Sequence, residues 1–79
     1  MALSNEQQAY YTDCITATQN PRAYVIDWIL DNVSREVDIF AQAQAIPANL
    51  QSLSDFQLSE LFRYYISFCS EQQLNSFGI

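Results

Sequence analysis

Asp27 and Asp31 stand four residues apart, one helical turn, so their carboxylates can approach each other. A pair of this kind can bind a divalent cation or divide acid and base roles between its members. Either task needs support. Acid–base work requires a pKa perturbed by burial, and the chain offers no histidine and a single glycine, too few for a phosphate-binding loop. Arg35 follows Asp31 at i+4, the spacing of an ordinary solvated ion pair. The pair therefore reads as a polar surface, with no metal, no cofactor and no catalytic residue implied.

Cys14 and Cys69 are the only thiols. A nucleophilic or redox-active cysteine needs a neighbouring base or a positive environment that favours the thiolate. With no histidine or lysine in the chain, neither is easily assembled. Each cysteine falls on an apolar stripe, so both are expected to act as small buried hydrophobes. An enzyme is not expected.

What remains is recognition chemistry. Asp27, Asp31 and Asp38, with Glu36 round the side, make an acidic ribbon in a chain of net charge −6 whose basic residues are Arg22, Arg35 and Arg63. That balance lacks the basic footprint of a direct nucleic-acid binder and disfavours adsorption to anionic lipid. It suits a partner protein with a basic surface. It also allows a second expectation, a phage-type anti-defence (anti-CRISPR-like) inhibitor whose carboxylates imitate nucleic-acid phosphates. Trp28 lies at the border of the acidic ribbon and is the foremost contact candidate, tryptophan being enriched among binding hot spots. In the pairs Tyr10-Tyr11 and Tyr64-Tyr65 neighbours diverge by about 100° on a helix. One member of each pair can thus enter a core while Tyr10 and Tyr64 face outward.

These residues must be positioned by helices. Ser4-Asn5-Glu6-Gln7 and Ser54-Asp55-Phe56-Gln57 have the capping-box pattern, and Asn20-Pro21 places an N-cap before a proline at the first helical position. Leu53 and Leu58 are spaced as a hydrophobic staple around the second box. Pro47 ends the middle segment, and Gly78 suits a helix C-terminus. Helices are expected near residues 5–18, 21–45 and 55–76, and a break of the last near Ser70 would make four. No strand alternation or internal repeat is present. The fold class is all-α, a small bundle in one domain, 1–79.

The middle helix carries two apolar faces. Ile26, Leu30, Val33, Val37, Phe40 and Gln44 follow a heptad spacing, which assigns the apolar five, Ile26 to Phe40, to the internal core. Val25, Trp28, Ile39, Ala43 and Ile46 form a second flank interrupted by Asn32 and Glu36. A rod from 21 to 45 is roughly 38 Å long. A monomer of this length has a radius of gyration near about 12 Å and a diameter of roughly 30 Å, so such a rod bends or overhangs its core. The overhanging version predicts a homodimer, with Trp28, Asn32, Ile39 and Ile46 meeting a second chain and Asn32 fixing the register. Eleven aromatic residues point the same way, being many for so small a core. The N-terminus has neither the positive nor the apolar region of a secretory signal, and no apolar run approaches about 18 residues. A soluble cytoplasmic protein with reduced thiols is expected.

Overall fold

Four polar side chains start four helices. Ser4 accepts from the Gln7 amide and Gln7 returns the bond, at 3.2 and 2.9 Å, and Ser54 with Gln57 repeats the arrangement at 3.1 and 2.8 Å. Asn20 accepts from the Ala23 amide, with Pro21 behind it. Ser70 with Gln73 forms a third capping box, and this is what divides the C-terminal segment. A computed structural model, which describes residues 2–78, accordingly shows α1 (Asn5–Thr16), α2 (Pro21–Trp28), α3 (Asp55–Ile66) and α4 (Glu71–Phe77). No strand occurs among the described residues. Gly78 closes α4 at φ 70°, a backbone angle few other residues adopt at low cost, while its amide bonds Leu74 O.

The single long helix expected over 21–45 is not what forms. After Trp28 the chain widens into a π-helical turn, Ile29–Val33, regains α geometry for Ser34 and Arg35, and then leaves the helix. The Ser34 hydroxyl donates back to the Leu30 carbonyl, a contact that bends helices. Beyond it come Val37, Asp38 and Ile39, whose β-branched or short polar side chains favour leaving the helix. Residues 37–42 turn and 44–49 run without regular structure to a 3-10 turn, Leu50–Ser52. The turn carries Phe40 into the core and lays Ile39, Ala43 and Ile46 against it. Bending thus resolves the conflict between a long rod and a small body. The radius of gyration is 11.6 Å and the extents are 31 × 27 × 22 Å.

The face that α2 and the π-helical turn bury takes only part of the heptad stripe, which places Ile26, Val33 and Phe40 in the core as expected but not Leu30 or Val37. Val25, Ile26, Trp28, Ile29, Asn32 and Val33 point inward, whereas Leu30 is 52% and Val37 66% exposed. The inward face lies about a quarter turn from the stripe, toward Trp28. Trp28 becomes the hub of the core. Phe62, Phe77, Phe40 and Tyr10 surround it at ring-centroid distances of 5.0, 5.6, 6.4 and 6.4 Å, three of them edge-on. Such pairs are worth about 0.5–1.5 kcal/mol each beyond their buried area. Of the eleven aromatic residues only Phe56 is exposed, so the chain wraps more of its aromatic content than its length suggested.

Two side chains tie the elements together. The Gln7 amide reaches the Ser67 and Cys69 carbonyls at 3.3 and 3.0 Å, fixing the start of α1 to the α3–α4 corner. Arg22 bridges from α2 to Asp55 at 3.0 Å and to the Gln51 carbonyl at 2.7 Å.

Candidate functional site

The outward side of the 21–35 segment brings the acidic residues to a cleft of about 490 Å³. Asp27 and Asp31 line it from α2 and the π-helical turn, and Glu36 from the residue that ends the helix. Tyr24, Trp28 and Phe77 supply aromatic wall, Phe77 coming from the far end of α4. The cleft forms where α4, which packs against α1, brings Ser76 and Phe77 at its C-terminal end to Trp28, a return that the Ser70 capping box starts. Arg35 stands at its rim and pairs with Asp31 at 3.3 Å, both side chains being about two-thirds exposed. An ion pair this open to water contributes little to stability. Asp38 is exposed but does not line the cleft.

The residues expected to meet a second chain are placed differently. Trp28, Tyr10 and Asn32 are buried, at 5, 7 and 7% exposure. Trp28 and Tyr10 belong to the monomer's own core, and Asn32 lines the acidic cleft while its Oδ1 takes a long contact, 3.4 Å, from Arg35. Ile39 and Ile46 are partly buried against the same core. Tyr64 is partly buried too. Its hydroxyl accepts from the Gln44 amide at 2.9 Å while Tyr65 donates to the Gln44 carbonyl at 3.1 Å, so the two tyrosines pin the irregular segment. The outward apolar side chains are instead Leu30 and Val37, together with Phe56 on α3 at 73% exposure. Val37 borders a shallow groove of about 390 Å³ formed with Val33, Phe40 and Ile46.

Ile29 held the signal that the heptad reading passed over. It is fully buried, and with Val25 at i−4 and with Trp28 it marks a wider, bulkier apolar face than the Ile26–Leu30 line. No comparable signal existed for Phe77, whose place in the cleft depends on how α4 returns.

Both cysteines are free and buried. Burial raises the Cys14 thiol, against which the Tyr24 hydroxyl, 3.5 Å away, works in the opposite direction. Burial pushes the Cys69 thiol up to about 12. Neutral, enclosed thiols are poor nucleophiles. Among the described residues no three His, Cys, Asp or Glu side chains gather as a metal site, and no helix is long and apolar enough to cross a membrane. Compared with known family models, curated proteins and solved structures, the chain matches none.

Proposed function

We propose that this chain is a non-enzymatic protein–protein interaction module, a regulator, inhibitor or assembly adaptor. It docks a larger protein on the outward side of the 21–38 segment. The supporting observation is the exposure of Leu30 and Val37 amid the exposed carboxylates of Asp27, Asp31 and Asp38. Large apolar side chains among charges give a surface with both a desolvated anchor and a charged guide. Its complement is a basic surface with an apolar depression. Two free, buried cysteines suit the reducing cytoplasm.

Affinity capture from the native host, with variants, tests the reading. Leu30→Asp/Val37→Asp should lose the captured protein while circular dichroism stays unchanged. Retention of that protein by the folded variant overturns it. Sedimentation of the isolated chain decides whether the occupant is a second copy.

The exposure of all three aspartates also favours a second reading, phosphate mimicry toward a nucleic-acid-binding machine. It predicts that DNA or RNA competes for the same partner site, that binding weakens steeply with salt, and that Asp27→Asn/Asp31→Asn/Asp38→Asn abolishes it.

A further inference from the structure

The point at which the chain leaves the helix after Arg35 is imposed from outside the segment. Between Arg35 and Ile46 there is neither glycine nor proline. Residues 41–45 read Ala-Gln-Ala-Gln-Ala, among the strongest helix formers, yet none of the five is helical. Nor does a left-handed residue close the helix, since among the described residues only Gly78 has positive φ. Local preference and fold disagree here, and such disagreements gather where a chain carries function or strain.

We propose that residues 36–46 are a hinge for exchange between two copies of this chain. In the exchanged dimer the 21–35 helix continues as a rod, and each copy's α3–α4 half packs on the α1–α2 half of the other. Exchange of this kind does not depend on the docking proposed above.

Helical bonding already runs part of the way. The Glu36 amide donates to Asn32 O at 2.9 Å and the Phe40 amide to Glu36 O at 3.3 Å, both four-residue helical steps. The departure is completed at Gln44. Its amide donates to the Tyr64 hydroxyl at 2.9 Å, and its carbonyl accepts from the Tyr65 hydroxyl at 3.1 Å. Both backbone groups of one residue are thus answered by side chains of α3 instead of by helical partners. Opening this clasp frees them to bond within a rod.

The contacts that close the single copy lie across the hinge. Gln7 on Ser67, Arg22 on Asp55 and Trp28 on Phe62 each join a residue before 36 to one after 46. The second half of another copy re-forms each of them, so exchange keeps that packing. What the single copy alone holds is Phe40 edge-on to Trp28 and Tyr65, at 6.4 and 5.8 Å, which a rod withdraws. Against that loss stands the heptad stripe. On a rod, Leu30 and Val37, exposed in the single copy, fall in line with Val33 and Phe40 as a seam for the second rod. Mass action then selects single copies when dilute and the dimer when concentrated.

The test starts from the full chain held at millimolar concentration, warmed to its melting midpoint, cooled, and separated by size exclusion with light scattering. A dimer should appear and persist on dilution, because return requires the core to open. Tyr64→Phe/Tyr65→Phe, which deletes the clasp, should raise the dimer-to-monomer ratio at least about tenfold. Ala41→Gly/Ala45→Gly, at two exposed positions, should lower it by a similar factor. Val37→Asp should lower it as well, by placing a charge in the seam. Filtered NOE spectra of a dimer assembled from labelled and unlabelled chains identify the arrangement, with Trp28–Phe62 contacts expected between chains. Four results overturn the hinge: a chain that stays monomeric even as Tyr64→Phe/Tyr65→Phe, a ratio that this exchange does not raise, a dimer indifferent to Ala41→Gly/Ala45→Gly or to Val37→Asp, and Trp28–Phe62 contacts confined within one chain.

Discussion

The indole N–H of Trp28 donates to the phenolic oxygen of Tyr10 at 2.8 Å, and that hydroxyl donates onward to the Gly78 carbonyl at 2.7 Å. One oxygen thus joins α1, α2 and the C-terminal end of α4 inside the core. Burial raises the Tyr10 phenol far above its ordinary range, so the group stays a neutral donor–acceptor at any physiological pH.

Tyr10→Phe deletes that oxygen and leaves the Trp28 N–H buried without an acceptor. The expected cost is about 1–3 kcal/mol, seen as a drop of the melting midpoint by circular dichroism. For a chain of this size each kcal/mol moves the midpoint by roughly 4–8 °C. In a Trp28→Phe background the same exchange should cost clearly less, because no indole remains to be stranded. Equal costs in the two backgrounds would show that the relay carries no energy.

Ser70→Ala should act at a distance. It removes the cap of a seven-residue helix, at about 1 kcal/mol. Because α4 holds Leu74 in the core and Phe77 edge-on to Trp28, loosening it should also shift Trp28 fluorescence toward longer wavelength. Ser54→Ala, at the head of the longer α3, should lose similar stability without that spectral change.

The four helix starts are written locally, in Ser-x-x-Gln and Asn-Pro, because capping is decided by residues three apart. The length of α2 was not readable in the same way. Periodicity continues through Val37, Phe40 and Gln44, and nothing within the segment says that Ile39, Ala43 and Ile46 gain more by folding back onto α3 than by continuing a rod. That choice is tertiary. The inward face of α2 depends on the bulk of its partners as well, and with Phe62, Tyr65 and Phe77 opposite, the Trp28–Ile29 side wins over the Leu30 side. The acidic residues of the cleft and Trp28 beside them were identified in sequence, but the rest of its aromatic wall was not, since Phe77 arrives from the other end of the chain.

Alkaline conditions should destabilise the fold before they affect a typical acidic surface. Burial raises the Cys14 and Cys69 thiols and the Tyr10, Tyr24 and Tyr65 phenols. For each, the folded chain keeps its proton after the unfolded chain has lost it. The unfolded state then binds fewer protons, so stability declines as pH rises through the ordinary thiol range toward about 12 for Cys69. Urea melts from about pH 8 to 10 should show this fall, and Cys69→Ala should flatten it whatever its own fixed cost. In the same range both thiols should react with Ellman's reagent only as fast as the chain opens.

Adjacent residues at the start of the π-helical turn give the sharpest test of which face looks inward. Ile29 has no exposed surface and Leu30 is half exposed, yet both are large aliphatic residues in one turn. Ile29→Ala removes buried methyl groups from a close-packed core and should cost about 2–5 kcal/mol. A single core in this size range supplies only about 3–5 kcal/mol, so the variant should be largely unfolded at room temperature. Leu30→Ala should stay within about 0.5 kcal/mol of the parent, as surface exchanges do. The heptad reading of the sequence predicts the reverse order, with Leu30 in the core, and urea midpoints for the two single variants decide between them. If Leu30→Ala proves the more damaging, the outward apolar anchor and the docking face built on it are lost together.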